Sequence, residues 1–260
     1  MAVENFLREQ GPEYQFTFLG HEIPWEDGYL DILLQNNKFV FLAIECKKVE
    51  EDTWIFVRTE TSSQTRCRHE WYNPRLPNPM VVIPANKYSK VFCSEFNMVE
   101  GSPESEFCIL PKGGTNKILE PLASEILDAC RDILDSPERA HDEDHWEVMV
   151  PVIVTNARLV ACEFTPDKVN LATGGIQLHD SHFTEVPFVR FRKTLVSFRS
   201  DPTSEIPINV ESWIADRERT VFVVGALNLA QFMDGFRSFS CQDEGGNPKE
   251  WINPPRGWRY

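Results

Sequence analysis

Residues 28–48, "GYLDILLQNNKFVFLAIECKK", carry the side chains best suited to chemistry: Asp31, Glu45 and Lys47. Each charge stands in or at the end of an apolar run that reads as a β-strand, and a polar break at 35–38 reads as the turn between them. Side chains alternate along a strand, so Glu45 and Lys47 share a face with Ala43 and Phe41. A three-residue turn at Asn36-Asn37-Lys38 sets Asp31 opposite Ala43 and diagonal to Glu45. Diagonal neighbours lie roughly 7–8 Å apart, near enough for two carboxylates to share one ion. A two-residue turn at Asn36-Asn37 sends the two acids to opposite faces. In the three-residue register the other face presents Leu30, Ile32, Leu34, Val40, Leu42, Ile44 and Cys46. That face is suited to pack on a helix, and the best helix in the chain is 120–135.

Charges in a buried strand are costly unless something compensates them. A divalent cation does so, because Mg²⁺ takes oxygen ligands and keeps several waters. The alternative is an ion pair, Glu45–Lys47 or Asp31–Lys47, on a strand end emerging into solvent.

The elements around this hairpin indicate an α/β chain. A short helix is expected at 2–10, a strand in "EYQFTFLGHEI", and another in "TWIFVRT". From about 60 to 115 prolines break the pattern, and we read an insertion of loops and short strands within a single domain spanning 1–260. Helical spacing follows at 116–135, with Pro121 moving its start toward Glu120. "EDHWEVMVPVIVTNARLVACEF" reads as two strands joined by a turn at "TNAR", "VPFVRFRKTLVSF" as a strand, and "RTVFVVGALNLAQFMDGF" as a strand passing into a helix.

The hairpin resembles the core of the PD-(D/E)XK, or restriction-endonuclease-like, nuclease superfamily. Its signature is an acid on one strand and an acid-x-lysine ending the neighbouring apolar strand. Asp31 matches the first acid and Glu45-Cys46-Lys47 the second element; Leu30 stands where the family name has proline. The resemblance covers residues 1–50. It implies a mixed central sheet flanked by helices and Mg²⁺-dependent phosphodiester hydrolysis, with Mn²⁺ as a substitute. Asp31 and Glu45 would be metal ligands, joined by the carbonyl of Cys46, and Lys47 would orient or deprotonate the attacking water. A helix-borne acid often completes such sites, for which Glu4, Glu9 and Glu22 are candidates. A role in bacterial defence or restriction fits the family, with DNA favoured over RNA. The reading from a different class is a non-catalytic binding or scaffold subunit with a nuclease-like fold.

Composition narrows the partners. The chain of 260 residues is 42% hydrophobic and 25% charged, as ordinary globular proteins are. With 40 acidic and 26 basic residues its net charge is −14, which argues against gripping nucleic acid over the whole surface. It also suggests activity that is partner-dependent or held in check, and the expected partners besides nucleic acid are another protein or a second copy in a homo-oligomer. Two local basic stretches remain. Residues 58–92 hold six basic residues, including Arg66 and Arg68, against two acids. "VRFRKTLVSFR" at 189–199 holds four, including Arg190, Arg192 and Lys193, and no acid. These five residues are the candidate phosphate contacts, the alternative for the second stretch being a solvated strand face.

Seven scattered cysteines fit reduced thiols in a cytoplasmic protein. "MAVENFLREQGPEY" lacks the pattern of a secretory signal, and no run is long enough for a membrane span. "HDEDH" at 141–145 reads as a solvated connector, and "CRHEW" at 67–71 lacks a second pair at zinc spacing. "PKGGTNK" at 111–117 is a helix-leading turn, since it lacks the glycine spacing and GK[ST] ending of a phosphate loop.

Overall fold

The computed structural model describes residues 2–36, 40–49, 53–59, 66–72, 90–95, 103–109, 119–136, 147–164, 181–194, 218–236, 240–242 and 248–249. The expectations for "PKGGTNK" and "HDEDH" lie outside these residues. The described chain is α/β, with two β-sheets and a few flanking helices.

Helix α1 (Ala2–Gln10) leads through a 3₁₀ turn (Gly11–Tyr14) into β1 (Phe16–Trp25). Gln15, between them, takes a left-handed φ of 66°. Strands β1, β2 (Gly28–Asn36) and β3 (Val40–Lys47) form an antiparallel meander. After β4 (Thr53–Thr59), β5 (Arg66–Tyr72), β6 (Lys90–Glu95), β7 (Glu104–Ser105) and β8 (Phe107–Ile109) comes helix α2 (Leu119–Asp135). Pro121 falls in its first turn, where an amide hydrogen has no helical acceptor to lose. The chain continues with β9 (Glu147–Thr155), β10 (Arg158–Phe164), β11 (Ser181–Glu185), β12 (Phe188–Thr194) and β13 (Glu218–Gly225). Helix α3 (Leu229–Phe236) and the short strands β14 (Ser240–Gln242) and β15 (Pro248–Lys249) follow.

Strand β9 is the spine of the larger sheet, and all nine of its residues are buried. It runs parallel to β3 along one edge. Its other edge is shared: β5 pairs antiparallel with Glu147–Met149, and β13 runs parallel beside Val152–Thr155. Pro151 sits in the gap between these partners, where its missing amide hydrogen breaks no rung on that edge. Strands β12 and β7 extend the sheet beyond β13. The second sheet has the order β11-β10-β4-β8, with β4 parallel to β10.

Each face of the larger sheet has its own core. Ile32, Leu34, Leu42, Ile44 and Phe222 pack with Leu7 of α1 and with Leu229, Phe232 and Met233 of α3. Leu33, Phe41, Ala43, Ile153 and Val223 pack with α2 and with Trp54, Phe56, Leu159 and Ala161 of the second sheet. The expected docking of helix 120–135 is thereby corrected. It covers the Phe41/Ala43 face, and the Ile32/Leu42 face belongs to α1 and α3.

Cys67 and His69 of "CRHEW" are wholly buried in the larger sheet. Burial pushes the Cys67 thiol up to about 12. Burial first, and the nearby Arg219 second, push His69 down to about 3. A folded-state value below the ordinary His value near 6.5 means that the unfolded chain takes up a proton first on acidification. His69 therefore withdraws stability as the pH falls from about 6.5 toward 3. His69→Phe keeps a ring against Phe222, which His69 stacks at 6.1 Å. Denaturant titrations from pH 7.5 to 5 are expected to show a shallower acid-side loss in the variant than in wild type.

Candidate active site

The hairpin register decides whether the two acids meet. Asn36 pairs with Val40, so three residues intervene, but they are 37–39 and not the expected 36–38. The parity of the favoured register survives, and the partners change. Ala43 faces Leu33. Continued by one step, this register sets Asp31 level with Glu45 and not diagonal to it, although the ladder itself ends at Ile32↔Ile44. Leu30, expected on the Ile32/Leu34 face, packs instead in the α2-side core, so the alternation of β2 is broken at Asp31.

The Asp31 carboxylate takes over where the backbone ladder stops. The Cys46 N–H donates to Asp31 Oδ2 at 2.7 Å. The Asp31 backbone favours the ionised form of Glu45. Asp31, Glu45, Cys46 and Lys47 are all half-buried. Burial, then the Asp31 charge, then the charge of Glu125 push Glu45 up to about 7, against the pull of the Asp31 backbone and of Lys47. The Cys46 thiol is pushed up to about 12, chiefly by burial, so it stays protonated and only its carbonyl remains as a donor to a cation.

Glu125 was not among the sequence candidates. It is exposed on α2, which lies over the Ala43 face, and its charge reaches Glu45. Glu4, Glu9 and Glu22 stand elsewhere. Glu4 accepts from Arg8 Nε at 3.0 Å and acts on the Cys46 thiol only after Asp31 and Glu45. Glu9 is exposed at the end of α1, and Glu22 is an exposed β1 residue with φ 48°.

Asp31 and Glu45 fit a hard cation in kind: two carboxylate side chains, with Glu45 raised to about 7 chiefly by burial and then by the neighbouring acids, whose repulsion a cation would relieve. Among the described residues no group of three or more His, Cys, Asp or Glu is gathered tightly enough to hold a metal ion. Water would therefore have to supply most of a cation's coordination, as Mg²⁺ commonly allows.

The basic strand requires a correction. Arg190 and Arg192 share a face, as alternation predicts, but it is the α1/α3 face, because Phe188 belongs to that core and Val189 and Phe191 to the other. Glu45 and Lys47, in phase with Phe41 and Ala43, lie on the α2 face. Arg190 is buried, with Glu104 Oε2 at 3.5 Å, and Arg192 bonds Glu218 at 2.6 Å. Lys193 bonds Glu120 of α2 and lies 5.5 Å from the Phe107 ring centroid. The strand is neither a solvated face nor, at Arg190, a surface for phosphates; internal acids hold its cations. Arg66 and Arg68 belong to β5, level with Glu95 and Cys93 of β6.

No family model matches the chain, and no curated protein or solved structure is significantly similar to it. Among the described residues no helix is long and apolar enough to cross a membrane.

Proposed function

We propose that the chain is a metal-dependent nuclease that hydrolyses phosphodiester bonds, DNA more readily than RNA, with Asp31, Glu45 and Lys47 as its working residues. The observation that carries the reading is that Asp31 accepts from the Cys46 amide, next to Glu45, whose acidity is suppressed by burial first and then by the charges of Asp31 and Glu125. Support also comes from α1 leading into the β1-β2-β3 meander and from α2, after the five intervening strands β4 to β8, leading into β9 parallel to β3, which suits a restriction-endonuclease-like core with an insertion.

Mg²⁺ or Mn²⁺, when bound, would polarise the scissile phosphate and acidify a water. Asp31 and Glu45 would hold it, with the Cys46 carbonyl as a further donor. Lys47 would orient the attacking water and offset negative charge developing on the phosphate oxygens. A role in defence against foreign DNA fits this chemistry by analogy of fold, and the net charge of −14 suits an enzyme kept in check until a partner or a second copy assists it.

Glu45 must be ionised to serve as a ligand, and its value near 7 makes that pH-dependent. Cleavage of plasmid DNA at limiting Mg²⁺ is expected to rise from pH 6 to 8, and saturating Mg²⁺ is expected to shift the rise to lower pH. Glu45→Gln is expected to be inactive throughout. A cleavage rate that is flat across this range in wild type counts against Glu45 as a ligand.

The second reading, a scaffold subunit with the same fold, is favoured by the bond that the Asp31 carboxylate accepts from the Cys46 amide. It gives Asp31 a structural duty without any metal.

A further inference from the structure

We infer that Asn156 is a positioning residue for Lys47, acting through the backbone of Val49; its catalytic half rests on the nuclease reading of the Asp31–Glu45–Lys47 site. Strands β3 and β9 are last paired at Lys47↔Thr155. Beyond that point both chains leave the larger sheet for the second one, where β4 and β10 resume parallel pairing at Thr53↔Arg158. The seam between the sheets is bridged at Asn156. The Val49 N–H donates to Asn156 Oδ1 at 2.7 Å, and Asn156 Nδ2 donates to the Val49 carbonyl at 2.7 Å. A planar side-chain amide thus offers one acceptor and one donor, as the peptide of a neighbouring strand would.

The turn that presents Asn156 is itself braced, since the Ala157 N–H donates to Thr155 Oγ1 at 3.1 Å. Val49 also packs partly against the α2-side core. The segment 46–49 is consequently pinned at two points: at Cys46 by Asp31, and at Val49 by Asn156. Lys47 lies between the pins. Releasing the second one lets the strand end fray and the amine wander, and reacting groups tolerate little misplacement. The bonds are exposed to water, so each has a modest net worth, and the expected effects are correspondingly modest.

The test uses the full chain as wild type, Asn156→Ala and Asn156→Asp, the last keeping the acceptor for the Val49 N–H. Amide exchange at Val49 is expected to quicken about tenfold in Asn156→Ala and to return most of the way in Asn156→Asp. With plasmid DNA and Mg²⁺, kcat is expected to fall about fivefold in Asn156→Ala, with DNA affinity unchanged and melting temperature nearly so. Rapid Val49 exchange in wild type overturns the bracket. Quickened exchange with unchanged kcat overturns the positioning role, as does a loss confined to DNA affinity. An inactive wild type refutes the nuclease reading and the catalytic half with it, while the exchange result still decides whether Asn156 holds the strand end.

Discussion

Lys47→Ala is expected to lower metal-dependent cleavage by about 10²–10³-fold or more while leaving the protein folded. Lys47 ends β3, is half-buried, belongs to neither hydrophobic core, and acts by its charge on Glu45. Its charge acts twice. It would offset charge on the phosphate as the bond breaks, and it draws the acidity of Glu45 back from the high value that burial and Asp31 impose. Removing it therefore moves Glu45 further upward and weakens the hold on a cation at neutral pH. Single-turnover cleavage at pH 8.5 and saturating Mg²⁺ separates the two effects, because Glu45 is then ionised in both proteins. The loss remaining there is the share Lys47 would contribute to the transition state. Unchanged DNA binding by anisotropy and an unchanged melting temperature complete the expected result.

Arg190→Ala is expected to act on stability and not on DNA. The side chain is buried on the face opposite Glu45, beside Glu104, and its charge acts on the buried Cys67 thiol. Truncation opens a cavity and leaves Glu104 with Arg192 alone, at 3.6 Å. We expect a loss of about 3 kcal/mol in denaturant titrations. Burial already raises Glu104 above the ordinary glutamate value despite its two arginines. A group raised in the folded state loses stabilising effect as the pH climbs through that value, and removing Arg190 raises it further. The destabilisation should therefore be larger at pH 8 than at pH 5. A phosphate contact would behave differently: its removal lowers the salt dependence of DNA binding by about one counterion. A lower salt slope with intact stability would contradict the structural role assigned to Arg190.

The elements were readable because the hydrophobic pattern dictates them. Helix α1, the hairpin strands, α2, β9, β10 and the passage from β13 toward α3 all follow from period and turn chemistry. What failed was the choice between equivalent partners. The hairpin is apolar on both faces, with Leu33, Phe41 and Ala43 on one and Ile32, Leu34, Leu42 and Ile44 on the other, so periodicity cannot say which helix takes which face. The turn slipped by one residue for a similar reason. Parity is fixed by the core-facing residues, whereas the turn's position among 36–39 is not.

Non-local charge was the least legible feature. Alternating arginines read as a solvated strand unless their acids are known, and Glu104 and Glu218 lie 86 and 26 residues away. Glu125 is one of several acids on the polar side of α2, and no spacing marks it out. Asn156 read as an ordinary turn residue; its bonds to Val49 span 107 positions of sequence. Asp31, Glu45 and Lys47 were legible because a charge inside an apolar strand run is rare enough to demand a reason.

The most direct measurement is a cleavage panel of purified wild type and Lys47→Ala with plasmid DNA and with RNA, each in Mg²⁺, Mn²⁺ or EDTA. The nuclease reading predicts cleavage by wild type in either metal, none in EDTA, DNA cut in preference to RNA, and cleavage by the variant about 10²–10³-fold slower or more. Identical behaviour of the two proteins in every lane would contradict it and leave Asp31 as a structural cap on a splayed hairpin.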